Sequence, residues 1–207
     1  MIILEDMGQK EEKHTVKNQW FYENGIDVVR VPLPVGDYVI ANDKAINVLE
    51  RKEQRNIKPK KMDFLGTYST AVDTKENIGE IVKNICGKSH DRFRDECILA
   101  QNNDVQLYIL VENEDGVACI GDLYRWQNPR LYRYNKIKYM HGLGKWQHIK
   151  LPKRPPTKGE TLAKSMLTME QEYGVHFLFC HPNEAGAKVV ELLEGGCDDD
   201  RRTKAVG

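Results

Sequence analysis

Two carboxylates and a lysine stand close together in the segment GDYVIANDKAINVLERK. Asp37 lies near the start of one apolar stretch, and Glu50-Arg51-Lys52 closes the next. The composition of Gly36 to Ala41 and of Ala45 to Lys52 predicts two strands, with Asn42-Asp43-Lys44 as a short polar turn between them. Folding that hairpin brings Asp37 and Glu50 to the same end of the ribbon. Side-chain alternation then puts Glu50 and Lys52 on one face and Arg51 on the other. Phosphodiester hydrolysis needs a hard divalent cation, an activated water and positive charge beside the crowded phosphorus. Asp37 and Glu50 would offer oxygens to Mg²⁺ or Mn²⁺, Lys52 would orient the water or offset the developing charge, and Arg51 would serve a phosphate.

The acid-x-lysine spacing is common by itself. It recurs at Glu11-Glu12-Lys13, read as helix, and at Asp73-Thr74-Lys75, read as irregular. The hairpin context selects Glu50 to Lys52, because Val48 and Leu49 place the charges at the mouth of a buried strand, where ligands of α/β sheets commonly bind. The competing reading makes Glu50, Arg51 and Lys52 exposed strand-end charges.

A second chemistry is spread over Tyr124 to Lys158. This run holds ten Lys/Arg, among them Arg130, Arg133, Lys136, Lys138 and Lys145, and no Asp or Glu, within a chain of zero formal charge. Tyr124, Trp126, Tyr132, Tyr134, Tyr139 and Trp146 are interleaved with the cations. Cations neutralise phosphates and rings stack on bases, so the run is a candidate DNA-binding surface. Its alternative is a solvated, twisted β-ribbon whose aromatics pack locally.

Other classes fall away. Five cysteines without a CxxC pair suit neither a disulfide framework nor a zinc ribbon. Gly142-Leu-Gly-Lys145 lacks the earlier glycine of a phosphate loop, and Trp146 stands where Ser or Thr is needed. No apolar run approaches the roughly 20 residues of a membrane span, so no membrane partner is expected. The first ten residues have no secretory pattern, so an intracellular protein is expected, cytoplasmic or nuclear rather than secreted.

The elements that must position these groups can be read along the chain. Ile2–Glu5, Ile26–Leu33, Gln106–Glu112 and Val175–Cys180 are expected strands. Helices are expected over Glu11–Asn24, Asn77–Cys86, His90–Gln101, from Thr157-Lys-Gly-Glu160 to Tyr173, and from Asn183 to Leu193. The fold class is α/β, a mixed central sheet flanked by helices. One domain over 1–195 is expected to carry a basic, aromatic-rich insertion at about 117–157, followed by a polar tail over 196–207.

GDYVIAN…VLERK resembles the GD…ERK signature of the XPF-type structure-specific DNA endonucleases, which have the restriction-endonuclease-like fold. IILEDMGQK, VVRVPLPVGDY, DRFRDECILA, VQLYILVEN and LAKSMLTMEQEYGVHFLFC resemble the family's successive segments in order. The resemblance implies metal ligation by Asp37 and Glu50 and a catalytic role for Lys52, with Arg51 beside them. Glu5 falls at the family's first acid, with Asp6 as its rival, and Arg92 at its helix arginine. Asp63, in DFLGTYS, is a further acidic candidate after Asn56 takes the usual aspartate's place. The implied function is a Mg²⁺- or Mn²⁺-dependent DNA endonuclease of DNA repair and recombination, acting on branched, flap or junction DNA, alone, as a homodimer or with a heteromeric partner. The alternative is a non-catalytic DNA-binding module or accessory subunit that uses the basic 124–158 segment.

Overall fold

The computed structural model describes residues 1–8 and 15–195. The expected polar tail and the first residues of the expected Glu11–Asn24 helix lie outside them. Six strands, β1 (Ile2–Asp6), β2 (Asp27–Val31), β3 (Tyr38–Ile40), β4 (Thr70–Lys75), β5 (Gln106–Glu112) and β6 (His176–Cys180), form one sheet in the order β2-β1-β3-β4-β5-β6. β3 runs antiparallel to both of its neighbours, whereas the β1–β2, β4–β5 and β5–β6 pairs are parallel. The sheet is therefore mixed, and the α/β class read from the sequence holds.

The described residues also form seven α-helices: α1 (Thr15–Glu23), α2 (Asp43–Gln54), α3 (Ile78–Cys86), α4 (His90–Asn102), α5 (Pro129–Gly142), α6 (Gly159–Tyr173) and α7 (Ala185–Leu193). Alternation along the strands sorts the core. Leu4, Val39, Ala71 and Ile109 pack with α2, α3, α4 and α6 on one face, while Ile3, Tyr38, Val72 and Leu110 pack with α1 and α7 on the other. Fully buried Ile78, Ile81 and Leu162 are typical anchors, each contributing about 1.5–3 kcal/mol relative to an exposed position.

The expected strand over Ala45–Lys52 is helical instead. Asn42 is not a turn residue but the N-cap of α2, its Oδ1 accepting from the Ala45 N–H at 3.0 Å. Ala45 and Val48 bury one side at helical spacing, and Lys, Glu, Arg, Leu and Gln fill the rest with good helix formers. β3 pairs instead with β1 on one side and with β4, in the stretch read as irregular, on the other.

Two further differences follow from capping. Lys158, not Thr157, is the N-cap of α6, and Gly159 is required there because a Cβ would lie 2.0 Å from the Leu123 carbonyl oxygen. The basic segment is not a β-ribbon: Asn128 caps α5 and Pro129 opens it, the favoured pairing of cap and first-turn proline. Val117 and Leu123 join the main core, whereas α5 buries only Ile137.

Candidate active site

The sheet register aligns a row of acids. Glu5 pairs with Tyr38 and Tyr38 with Val72, so one residue further along lie Asp6, Asp37 and Asp73 on three adjacent strands. They share the α4 side of the sheet with Leu4, Val39 and Ala71. All three line a cavity of about 270 Å³ that also exposes Lys75, Glu96 and Arg92.

Each side chain is held. Asp37 Oδ2 accepts from the backbone N–H and the hydroxyl of Thr74, both at 2.9 Å. Lys75 Nζ lies 2.7 Å from Asp73 Oδ1 and 2.5 Å from its Oδ2. Its ammonium also sits 5.4 Å from the Phe93 ring centroid. Glu96, on α4, accepts from the Gly36 N–H at 3.0 Å. Gly36 has φ +74°, and a Cβ there would come 2.8 Å from Ala71 Cβ, so only glycine lets the backbone pass between α4 and β4. Asp6 Oδ1 accepts from the Leu33 N–H at 3.0 Å.

The electrostatics are those of crowded acids. Burial pushes the Asp73 carboxyl well above its ordinary range; Lys75 opposes that push, and the charges of Asp37 and Glu96 reinforce it. Glu96 is raised by burial and by Asp37, against Lys75, the Gly36 N–H and Arg92. Burial alone would lower the Lys75 ammonium, but Asp73, Asp37 and Glu96 hold it above the ordinary lysine value. Lys75 is therefore a fixed cation at neutral pH.

Among the described residues no three His, Cys, Asp or Glu side chains form a group able to hold a metal ion by themselves. The donor chemistry nevertheless fits Mg²⁺ or Mn²⁺. Every candidate ligand is a carboxylate oxygen, two come from adjoining strand ends, and Mg²⁺ usually binds one or two carboxylates and completes its shell with water and phosphate oxygens. The mutual repulsion of Asp37, Asp73 and Glu96 is the kind of charge that a divalent cation relieves.

The residues expected to share the site divide. Asp37, Asp6 and Arg92 line the cavity; Glu50, Arg51, Lys52 and Asp63 do not. Glu50 and Arg51 are exposed on α2, with Arg51 Nε donating to the Asn47 carbonyl. Lys52 forms a 2.7 Å ion pair with Asp63, which holds that carboxyl below its usual range. Glu5 faces the opposite side of the sheet, where it accepts from Asn18 and pairs with Arg30 at 3.7 Å. Its place in the cavity is taken by Asp6. Arg130, Arg133, Lys136 and Lys138 are exposed on α5, and Lys145 on the loop after it. Asp73, Lys75 and Glu96 were absent from the expected set. The signal for the first two was the same acid-x-lysine spacing, preceded by Thr70-Ala71-Val72, a better strand opening than the helix formers before Glu50.

Two aspartates on adjacent strands, with a lysine two residues beyond the second, thus meet at one cavity on a mixed α/β sheet. The ERCC4 domain model matches residues 7–193, and the chain belongs to that family. No curated protein matches it by sequence. Among solved structures it is similar to XPF from Aeropyrum pernix in complex with DNA, at 15% identity and a TM-score of 0.49, over 93% of this chain and 63% of that one. XPF from Aeropyrum pernix alone gives 13% identity and a TM-score of 0.49, over 94% and 64%. The chain thus spans a little under two thirds of those structures.

Proposed function

We propose that this chain is a divalent-metal-dependent DNA endonuclease that hydrolyses phosphodiester bonds, with a preference for branched, flap or junction DNA. The observation that carries the reading is the convergence of Asp37, Asp73 and Lys75 on one cavity from the adjoining ends of β3 and β4. Membership of the ERCC4 family supports nuclease chemistry and DNA as the substrate.

Asp37 and Asp73 would hold Mg²⁺ or Mn²⁺, with Asp6 and Glu96 lining the rest of the cavity. When bound, such an ion supplies an acidified water and draws charge from the phosphoryl oxygens. Thr74 fixes the Asp37 carboxylate through two hydrogen bonds, so that side chain is preorganised before substrate arrives. Lys75, charged and held against Asp73, presents an ammonium that can orient the attacking water or stabilise the negative charge growing on the phosphate. Arg92, at the exposed rim of the same cavity, is placed to meet a phosphate oxygen.

Incubation with linear, flap, fork and four-way-junction DNA plus Mg²⁺ or Mn²⁺ tests this reading. Wild type is expected to cut branched forms. Asp73→Asn and Lys75→Ala should each reduce kcat by roughly a hundredfold or more while leaving DNA binding intact. A thermal melt gives an independent readout: saturating Mn²⁺, at about a hundred times its Kd, stabilises wild type by about 2.7 kcal/mol. Asp37→Asn combined with Asp73→Asn should erase that shift. Intact binding with no cleavage of any substrate would favour a non-catalytic DNA-binding module.

A further inference from the structure

The chain between Asp37 and Asp73 carries a strongly basic stretch whose placement the catalytic reading does not use. Residues 51–61, RKEQRNIKPKK, hold six Lys/Arg against one Glu. Lys58, Lys60 and Lys61 are exposed, yet the segment that bears them is pinned at both ends. At one end the Ile57 N–H donates to the Lys52 carbonyl at 2.9 Å, closing the last turn of α2. At the other, Asp63 Oδ2 accepts from the Lys60 N–H at 2.7 Å, and Phe64 is fully buried. The Lys52–Asp63 ion pair, 2.7 Å long, ties the two ends together. Lys61 is thereby carried to the mouth of the acidic cavity, its Nζ 3.7 Å from Asp6 Oδ2.

A cavity walled by Asp6, Asp37, Asp73 and Glu96 repels a polyanion unless cations flank its entrance. The pinned segment supplies them on one side. We propose that Lys58, Lys60 and Lys61 form a rim that tracks the phosphates next to the scissile one, and that Lys52 is a positioning residue that holds this rim in place through Asp63. The proposal rests on the nuclease reading. It reassigns Lys52, which the sequence places in the chemistry, to the grip on DNA.

The test compares wild type with Lys58→Ala/Lys60→Ala/Lys61→Ala, with Lys52→Ala and with Asp63→Asn, using a flap duplex in Mn²⁺. Circular dichroism checks the fold of each. Affinity is measured against salt with Ca²⁺ in place of Mn²⁺. For the triple variant, the slope of log K against log salt should fall by about 2–3, KM should rise roughly tenfold at low salt, and kcat should stay within about twofold. Lys52→Ala and Asp63→Asn should raise KM by smaller, matching amounts with kcat retained, and Lys52→Arg should restore KM. An unchanged slope in the triple variant overturns the rim, as does tighter binding of an acidic peptide than of DNA. Loss of kcat at unchanged KM in Lys52→Ala overturns the positioning role. If wild type binds DNA without cutting it, the nuclease reading fails while the salt slopes still decide whether the rim exists.

Discussion

Glu96 shows how one residue of the cavity sets a pH dependence. Its carboxyl is raised by burial first and by the Asp37 charge after it. A carboxyl whose folded pKa exceeds its unfolded value binds its proton more tightly in the folded protein. Its stabilising contribution is full in acid and is lost as pH rises through the raised value. Glu96→Gln keeps an oxygen for the Gly36 N–H and removes the charge, so without divalent metal its Tm should exceed that of wild type near about pH 8, with the gap closing toward about pH 4. Thermal melts across that range check it; a lower Tm for the variant at the alkaline end would mean that attraction to Lys75 and Arg92 outweighs the burial cost. At this scale the sequence singled out Asp37, which lines the cavity, and the wrong one of two acid-x-lysine pairs to stand beside it. Asp37 was legible because GD opens a strand, whereas Glu50-Arg51-Lys52 and Asp73-Thr74-Lys75 have the same side-chain grammar. Only the structure of the preceding residues separates them.

The elements explain that confusion. In α2, Ala45, Val48 and Leu49 stand at i, i+3 and i+4, a helical stripe that also passes for a strand when Asn42-Asp43 is taken as a turn. Asn-Asp begins helices as readily as it closes hairpins, and here the side chain of Asn42 settles the matter by capping Ala45 and donating to the Thr67 carbonyl. Asn42→Ala should therefore cost about 1–2 kcal/mol, read from the urea midpoint at unchanged m-value. β1, β5 and β6 and helices α3, α4 and α6 were legible, since each combines an unambiguous period with a cap, a stop or a run of β-branched residues. β4 was not, because four of its six side chains are polar: Thr70, Asp73, Thr74 and Lys75 lack the apolar alternation that marks an ordinary strand, and three of these four are nevertheless buried.

At the scale of the whole molecule, positive charge among the described residues is concentrated in the exposed 58–61 segment beside the cavity and in the α5 region. On α5, Tyr132 and Tyr139 are 75% and 67% exposed, with Lys136 between them on the same face and stacked over Trp146 at 5.7 Å. Neutralising Lys136, Lys138 and Lys145 together should lower the salt slope of DNA binding by up to about 3 without changing kcat at saturating DNA. A slope equal to that of wild type would remove α5 from the DNA-contacting surface. The charge itself was legible, because an acid-free run in a neutral chain survives any folding. Its helical form was hidden by the dense tyrosines, which suit strands as well as helices.

The three aspartates stand at positions 6, 37 and 73 of the chain, and they meet only because β3 lies between β1 and β4 with its direction reversed. No fragment ending before β4 can assemble that row, however well its helices form. The row therefore depends on β4 having paired with β3, before which Asp73 has no fixed place beside Asp37. A chain cut before β4 keeps the lysines of the 58–61 segment and loses both Asp73 and Lys75.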